Sequence, residues 1–178
     1  MMSVSGGGIA ASATRAYVGL GSNLADPARQ LAAAFAALAQ LPHTRLAARS
    51  SLYRTAPVGV IARQPDYFNA VAALDTALPP RQLLAALQAI ERRQRRRRSS
   101  ANAPRSLDLD LLLYGGHRRA GRRLLLPHPR LHVRAFALRP LIEVAPGIII
   151  PGRGRAGKFL PRSRAQRVVR IAPGTRTD

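Results

Sequence analysis

The chain has 178 residues, of which 29 are Lys or Arg and 8 are Asp or Glu, so its formal net charge at pH 7 is +21. This length suits a single domain, and a hydrophobic content of 47% is enough for a buried core, which excludes a disordered polybasic tail. The absence of cysteine excludes disulfides, thiolate metal sites and cysteine nucleophiles, and no apolar run reaches the roughly 18–20 residues that a membrane helix needs.

The first predicted elements follow a flexible extension, residues 1–14, which lacks the pattern of a secretory signal. A short apolar strand over residues 15–20 comes next and ends at a turn. Asp26, followed by a proline, provides the cap of a helix that we expect to run to residue 40. Alternating apolar and polar residues then predict a second strand over 44–53.

The middle of the chain contains two further strands and a second helix. A loop rich in proline and glycine over 54–65 leads to a third strand, 67–76, whose alternate side chains face opposite ways. Leucines at helical spacing predict a helix over 80–91. A basic connection, residues 92–105, leads to a fourth strand over 106–114.

The remainder contains a short basic hairpin, a Pro127-His128-Pro129 corner, a short helix over 136–143 and a basic tail over 152–178. Strand, helix, strand, strand, helix, strand is the order of a ferredoxin-like βαββαβ sandwich of the α+β class. We therefore expect that fold with an added C-terminal hairpin and short helix, in one domain over 15–151.

Asp108 and Asp110 form the sharpest local signal for chemistry. Side chains two residues apart on a strand share a face, so both carboxylates face one way while Leu107, Leu109 and Leu111 enter the core from the other. Paired carboxylates suit Mg²⁺, which takes its remaining ligands from water and substrate phosphates. The alternative is an amphipathic strand that carries two solvated aspartates.

The arginine-rich connection before this strand supplies the positive charge that a phosphate site needs. Phosphoryl transfer depends mainly on positioning and charge neutralisation, and Arg96, Arg98 and Arg105 are candidate clamps on the transferring group. A solvated basic run is the alternative. For the charge of the whole chain the alternative is a composition bias, because Lys158 is the only lysine.

Two further groups of residues could bind a substrate. Tyr67 and Asn69 share a face of the third strand, where an aromatic ring beside an amide suits a flat heterocycle; packing on the sheet is the alternative. His128, Arg134 and Phe136 lie close along the chain. A neutral histidine could bond a phosphate oxygen, and a capping or surface histidine is the alternative.

Four stretches of the sequence resemble one family, the 6-hydroxymethyl-7,8-dihydropterin pyrophosphokinases of folate synthesis. They are residues 16–24 (AYVGLGSNL), 51–55 (SLYRT) with 64–69 (QPDYFN), 104–115 (PRSLDLDLLLYG), and Pro127-His128 with 134–136 (RAF). They occur in family order over about residues 15–151, and the third stretch is highly specific.

The resemblance implies a ferredoxin-like enzyme that transfers the β,γ-diphosphate of ATP to the hydroxymethyl oxygen of the pterin and releases AMP. It implies two Mg²⁺ ions on Asp108 and Asp110, bridging the ATP phosphates. The implied pterin site has Tyr67 and Phe136 on the ring faces, with Asn69, Thr55 and the backbone near Val58 at its edge. The implied ATP contacts are Gln88, Arg96, Arg105, His128 and Arg134, and the implied catalytic residues are Arg96, Arg98 and Arg105.

Two other functions use related features. An RNA-binding sandwich would need exposed aromatics paired on central strands, and the 4 Tyr and 4 Phe are not arranged in that way, so we do not expect a nucleic-acid partner despite the basic charge. A palm-type nucleotidyl transferase also holds metals on paired aspartates, but it releases diphosphate instead of AMP. We expect a soluble, cytoplasmic monomer that binds ATP and the pterin and has no membrane partner.

Overall fold

The computed structural model describes residues 13–24, 26–57, 64–96, 107–163 and 166–172. The strands in this part of the chain are β1 (Thr14–Ser22), β2 (Thr44–Arg49), β3 (Tyr53–Thr55), β4 (Tyr67–Thr76), β5 (Asp108–Tyr114), β6 (Arg119–Ala120), β7 (Leu125–Leu126), β8 (Ile149–Ile150), β9 (Gly154–Arg155) and β10 (Val168–Arg170). The α-helices are α1 (Pro27–Ala39), α2 (Pro80–Arg96) and α3 (Ala135–Val144). None of the described helices combines the length and the apolar character that crossing a bilayer requires.

The central feature of the fold is a six-stranded sheet in the order β10-β3-β4-β1-β5, with β2 also paired to β4. Every strand in it runs antiparallel to its neighbours. β2 pairs with the C-terminal half of β4 and β3 with its N-terminal end, so these two short strands share one side of β4. The pairs β6-β7 and β8-β9 form two separate hairpins.

The second strand predicted from the sequence, 44–53, is interrupted in the structure at Ser50. The Ser50 N–H donates to the Val71 carbonyl at 2.9 Å, and the Ser50 hydroxyl oxygen accepts the Val71 N–H at 2.9 Å. The Ser50 hydroxyl thus accepts a hydrogen bond that a backbone carbonyl accepts in a regular antiparallel sheet. Pairing with β4 resumes at Tyr53 and continues to Thr55, where the sequence predicted a loop.

Alternation along the strands divides the core into two layers, one on each face of the sheet. One face packs under α1 and α2 through residues such as Val18, Leu74 and Leu109. The other face packs under α3 and a 3-10 helix, Ala156–Ser163, through residues such as Val71. The alternation predicted for β4 and β5 is therefore confirmed.

The start of α1 follows local sequence signals, whereas the end of α2 differs from the prediction. Asp26 caps α1, since its carboxylate accepts the Arg29 N–H at 3.1 Å, and Pro27 occupies the first turn as predicted. The helix predicted over 80–91 continues to Arg96, because arginine and glutamine are good helix formers. The arginine-rich connection therefore begins later than the sequence indicated.

Two described parts of the segment after residue 151, which the sequence predicts to be a basic tail, belong to the packed fold: the 3-10 helix and β10. The 3-10 helix buries Ala156 and Phe159 against the sheet. β10 then pairs with β3, with Val168 opposite Thr55. Apolar residues three positions apart fit the period of a 3-10 helix, but the surrounding arginines conceal this pattern in the sequence.

The ionised form of Asp75, on β4, is expected to stabilise the fold. Its carboxylate accepts hydrogen bonds from Arg15 and Arg45, and these guanidinium groups hold the pKa of Asp75 below its ordinary value despite partial burial. The stabilisation is therefore present above the unfolded-state pKa of about 4 and is lost as the pH falls through the lower folded-state pKa. We expect Asp75→Asn to lower the free energy of unfolding by roughly 0.5–1.5 kcal/mol at pH 7.

Urea unfolding of the wild type and Asp75→Asn at pH 7 and pH 3 measures this contribution. The difference between the two proteins should shrink at the lower pH. Asp66→Asn is the matched control, because the Asp66 carboxylate is more exposed and lies 3.7 Å from Arg54; we expect it to change stability by less than about 0.5 kcal/mol. An Asp75→Asn effect no larger than that of the control at pH 7 would contradict the prediction.

Candidate active site

β1 forms the floor of the candidate site, because it lies between the two strands that carry the predicted residues. Gly21 is paired with Asn69 on β4 and with Asp108 on β5, and Gly19 is paired with Asp110 on β5. We call Gly19 and Gly21 the glycine floor. Since glycine has no side chain, β1 itself adds nothing above the sheet between the amide and the carboxylates; at Gly19 the Leu112 side chain lies 3.4 Å from where a Cβ would be. Two strand spacings separate Asn69 from Asp108, so their backbones lie roughly 10 Å apart.

Asp108 and Asp110 stand at the start of β5 and are half-buried. Leu109 between them is buried under α1 and α2, so the two carboxylates share the opposite face of the sheet, as predicted. The Arg134 Nη1 lies 3.7 Å from the Asp110 Oδ2. This guanidinium offsets part of the repulsion between the two like charges.

Glu91, on α2, fixes the start of β5, a role that the sequence alone does not predict. Its Oε1 accepts the Leu109 N–H at 2.7 Å. Leu109 lies between the two aspartates, so this hydrogen bond ties α2 to the strand that carries them. A rare acid ahead of a basic run is the only signal in the sequence, and it does not reveal the partner.

Arg134 immediately precedes α3 and connects the carboxylates with an aromatic ring. Its guanidinium carbon lies 5.5 Å from the centroid of the Phe136 ring, which is a cation–π distance. Burial lowers the pKa of Arg134 and the charge of Arg130 lowers it further, while Asp110 raises it. Arginine stays cationic at neutral pH, so a positive charge lies between Asp110 and Phe136.

His128 is held as a neutral hydrogen-bond donor. Its Nδ1 accepts the Arg130 N–H at 3.2 Å, so the neutral imidazole carries its proton on Nε2. Burial lowers the pKa of His128, the charge of Asp110 opposes this, and Arg134 and Arg130 lower the pKa further. The bond from the Arg130 N–H is the contact expected of the capping alternative, and the proton on Nε2 leaves the ring able to donate to a phosphate oxygen as well.

Tyr67, Asn69 and Thr55 meet on the other side of the glycine floor. Thr55 is paired with Tyr67, and Tyr53 is paired with Asn69. The Asn69 Nδ2 donates to the Thr55 Oγ1 at 2.9 Å, and both side chains are buried. A Cβ on Gly21 would lie 3.3 Å from the Asn69 Oδ1. The amide is therefore fixed with its oxygen toward the floor, and glycine leaves room for it.

The structure describes the other predicted site residues only in part. Gln88 is exposed on α2, and Phe136 is half-buried on α3. Arg96 ends α2, but its side chain is outside the described residues. The predicted residues that lie entirely outside the described part of the chain are Val58, Arg98 and Arg105.

The donor atoms of the site fit a hard cation that is shared with a substrate. Among the described residues, no group of three or more His, Asp or Glu side chains is arranged to hold a metal ion by itself. Asp108 and Asp110 offer only oxygen ligands, and the Asp110 side chain is 48% exposed, which leaves space for other ligands. Two carboxylates of this kind suit Mg²⁺, which retains water and binds phosphate oxygens.

This division of the site is typical of phosphoryl-transfer enzymes. Anionic metal ligands and cationic groups lie on one side of the glycine floor, where they suit a phosphate chain. On the other side, a fixed amide beside an aromatic side chain suits a flat acceptor.

Comparison with protein families matches residues 17–146 to the 7,8-dihydro-6-hydroxymethylpterin-pyrophosphokinases (HPPK). A 2-amino-4-hydroxy-6-hydroxymethyldihydropteridine pyrophosphokinase of Pseudomonas aeruginosa is 50% identical over 147 residues, which cover 83% of this chain and 88% of the relative. The enzyme of the same name from Haemophilus influenzae is 40% identical over 158 residues, which cover 89% of this chain and 98% of the relative. The chain therefore belongs to the HPPK family of pyrophosphokinases.

Solved structures agree with the fold. The HPPK-DHPS of Plasmodium falciparum, solved with pterin and p-hydroxybenzoate, superposes with a TM-score of 0.65 at 12% identity. The match covers 86% of this chain and 43% of that one, so this chain spans less than half the length of the solved protein. At this identity the likeness shows the fold alone.

The hydroxyl of Thr55 is expected to hold the Asn69 amide in place. Thr55→Val removes the hydroxyl at nearly constant volume and leaves the buried Asn69 Nδ2 without this acceptor. Because an unsatisfied buried donor costs about 1–3 kcal/mol, we expect the free energy of unfolding to fall by roughly 1–2 kcal/mol. Urea unfolding measures the loss, and proton exchange of the Asn69 side-chain amide, which should become faster, measures it locally. Thr55→Ser keeps the oxygen and should resemble the wild type; a Val variant that matches the Ser variant would contradict this role.

Glu91 is expected to anchor β5 through its acceptor oxygen. Glu91→Leu removes the acceptor for the Leu109 N–H, so we expect the free energy of unfolding to fall by roughly 1–3 kcal/mol and the Leu109 amide to lose protection from hydrogen exchange. Glu91→Gln keeps an acceptor oxygen without the charge and should lose less than about half as much. Unchanged protection at Leu109 in the Leu variant would show that the bond does not hold the strand.

Proposed function

We propose that the glycine floor lies between the two substrate sites of one diphosphate transfer, with ATP bound at Asp108 and Asp110 and the pterin bound at Asn69. As a member of the HPPK family, the chain transfers diphosphate from ATP to the hydroxymethyl group of 6-hydroxymethyl-7,8-dihydropterin and releases AMP, in tetrahydrofolate biosynthesis. The observation that carries the assignment of sites is the register that pairs Gly21 with both Asn69 and Asp108.

The separation between the two sites suits a direct transfer. A flat ring at Asn69 and a phosphate chain at the carboxylates can meet over the floor, since their backbone anchors lie roughly 10 Å apart. The substrate hydroxyl then attacks the β-phosphorus in line, the bond from the β-phosphorus to the α,β-bridging oxygen breaks, AMP leaves with that oxygen, and the hydroxyl proton passes to water. No side chain has to act as a covalent nucleophile. The contribution of the protein is to orient the two substrates and to neutralise charge.

We assign Asp108 and Asp110 as the ligands of two Mg²⁺ ions. When bound, these ions neutralise charge on the ATP phosphates and lower the pKa of the acceptor hydroxyl. The chain prepares this site by burying Leu109 between the two carboxylates and by bonding its N–H to Glu91. Arg134 adds a fixed positive charge next to Asp110.

We assign the pterin to the pocket around Asn69. The fixed Asn69 amide presents its Oδ1 as an acceptor for ring N–H groups, and the Thr55 hydroxyl keeps a proton that it can donate. Tyr67 and Phe136 are assigned to the two faces of the ring. The backbone near Val58 completes the proposed edge contacts.

We assign the remaining polar groups to ATP. His128 can donate from Nε2 to a phosphate oxygen, and the Arg134 guanidinium can bind phosphate as a cation. The other proposed ATP contacts are Gln88, Arg96 and Arg105, with Arg96, Arg98 and Arg105 as the catalytic arginines.

We further propose that the core is a ferredoxin-like βαββαβ sandwich, in which β2 and β3 together take the place of the second strand. The strand order and the antiparallel pairing support this. The proposed domain, predicted as 15–151, is extended to residue 172, because β10 pairs with β3. A flexible extension over 1–14, a cytoplasmic location and a monomeric state stay predictions from the sequence.

A product assay tests the proposal directly. The protein is incubated with ATP, Mg²⁺ and 6-hydroxymethyl-7,8-dihydropterin, and the products are separated by chromatography. We expect AMP and a diphosphorylated pterin in equal amounts. Release of inorganic diphosphate would indicate a nucleotidyl transferase instead. Tight, salt-sensitive binding of an oligonucleotide without either product would indicate a nucleic-acid-binding protein.

Asp110→Asn tests the assignment of the metal ligands. The substitution keeps the shape of the side chain and removes its charge, so we expect normal folding and a loss of turnover of at least about a hundredfold. Circular dichroism checks the fold, and isothermal titration with Mg²⁺ and a non-hydrolysable ATP analogue checks metal-dependent nucleotide binding. Retained turnover in a folded Asp110→Asn protein would refute the metal assignment.

A further inference from the structure

The segment 166–171 contacts both walls of the proposed pterin site, although the family match ends at residue 146. One wall is the start of α3, which carries Phe136. The other wall is β3, which carries Thr55. We call residues 166–171 the clamp segment. The inference below rests on the proposed function, because it concerns the pterin site assigned there.

Gln166 caps the start of α3. Its Oε1 accepts the Ala135 N–H at 2.9 Å, and its Nε2 donates to the Val133 carbonyl at 2.9 Å. The first N–H groups of a helix have no partner within the helix, and the residue before α3, Arg134, does not supply one from its side chain. The cap therefore comes from a distant part of the chain, and it binds the residue next to Phe136.

The rest of the clamp segment holds β3. β10 pairs with β3 along its whole length, with Val168 opposite Thr55 and Arg170 opposite Tyr53. One residue further on, the Ile171 N–H donates to the Leu52 carbonyl at 2.8 Å. The strand that positions the partner of Asn69 is thus paired on one side with β4 and on the other with the clamp segment.

A half-buried carboxylate connects the two walls directly. Glu143, in the last turn of α3, accepts the Tyr53 hydroxyl at 2.6 Å, the Ser51 N–H at 3.0 Å and the Ser51 hydroxyl at 2.8 Å. Arg170 donates to Ser51 Oγ at 2.9 Å and lies 3.4 Å from Glu143. Each end of α3 is therefore bonded to the clamp segment or to the strand beside it.

The charge states agree with this geometry. Burial alone would raise the pKa of Glu143, but the hydrogen bonds from Tyr53 and Ser51 and the charge of Arg170 hold it below its ordinary value. Burial and the bond to Glu143 raise the pKa of Tyr53 to about 12. Near neutral pH the carboxylate is thus ionised and the phenol keeps the proton that it donates.

We propose that the clamp segment sets the separation between Phe136 and the Thr55–Asn69 pair, with Gln166 and Arg170 as positioning residues for the pterin. Neither residue touches a reacting atom in this proposal. Gln166 fixes the position of the Phe136 wall, and Arg170 fixes the Tyr53 end of β3. The carboxylates on the ATP side of the glycine floor stand on β5, which the clamp segment does not contact through any described hydrogen bond. Gln166 bonds both neighbours of Arg134, an assigned ATP contact, but Arg134 is also held by Asp110 at 3.7 Å, independently of the clamp segment.

Gln166→Leu tests the proposal, because it removes both hydrogen bonds to the start of α3 with little change in size. We expect the KM for the pterin, at saturating ATP, to rise about tenfold, while the KM for ATP, whose assigned contact Arg134 lies between the two bonded residues, rises by no more than about threefold. Arg167→Gln is the matched control on the same segment, because the Arg167 side chain is exposed, and it should leave both constants unchanged. Equal rises in both KM values, or no rise in either, would overturn the proposal.

Further variants keep the test decisive. If Gln166→Leu does not fold, Gln166→Glu is measured in the same way, since it keeps the acceptor for the Ala135 N–H and loses the donor to Val133. Tyr53→Phe removes the bond to Glu143 from the opposite wall and should also raise the KM for the pterin more than that for ATP. A Tyr53→Phe protein with wild-type constants would count against the clamp.

Failure of the clamp and failure of the proposed function give different results. If the wild type forms AMP and diphosphorylated pterin but Gln166→Leu keeps wild-type constants, the clamp is wrong and the function stands. If the wild type forms neither product, the proposed function is wrong. Binding of the pterin, followed by the fluorescence of the pterin itself, then tests the clamp independently of turnover: Gln166→Leu should bind it about tenfold more weakly than Arg167→Gln.

Discussion

The register of β1 against both of its neighbours is the constraint on which the active site depends, because this one strand brings the two halves together. A slip of β1 by one residue would place Leu20 where Gly21 lies, and the leucine side chain would then fill the sheet surface between Asn69 and Asp108. Burial of Ala16, Val18 and Leu20 under α1 and α2 opposes such a slip. The packing that stabilises the sheet therefore also keeps the glycines beneath the site.

In a chain with a net charge of +21, the few acidic residues determine where ion pairs and charged hydrogen bonds form. Asp75 on β4 binds one arginine from each neighbouring strand, and Asp110 lies next to Arg134. Glu143 accepts hydrogen bonds from β3, from β10 and from the connection between β2 and β3. Positive charges are common in this chain, so a single one needs no particular position. Carboxylates are few, and the composition alone places an arginine close to almost every one of them. The acids therefore lie where separate segments of the chain are bonded to one another, and the active site is one of these places.

Local patterns were enough to predict the order of the elements, the faces of β4 and β5 and the capped start of α1, because periodicity and capping act over a few residues. The sequence could not predict contacts between distant segments. Ser51 and Glu143 are 92 positions apart, and Gln166 is 31 positions from Ala135. Such side chains look ordinary until the sheet brings them together, and the same holds for the interruption of the second strand at Ser50.

The backbone groups along part of each outer edge of the sheet are occupied. At β5, the Leu109 N–H is bonded to Glu91, and the Leu112 carbonyl accepts the His128 N–H at 2.9 Å. On the other side β10 covers β3, and it is only three residues long and carries Arg170. Short, charged edge strands resist pairing with a second sheet. The contacts that shape the active site thus also protect the chain against aggregation. In a folding chain whose β10 has not yet paired, β3 exposes unpaired backbone groups that can pair with a strand of another chain.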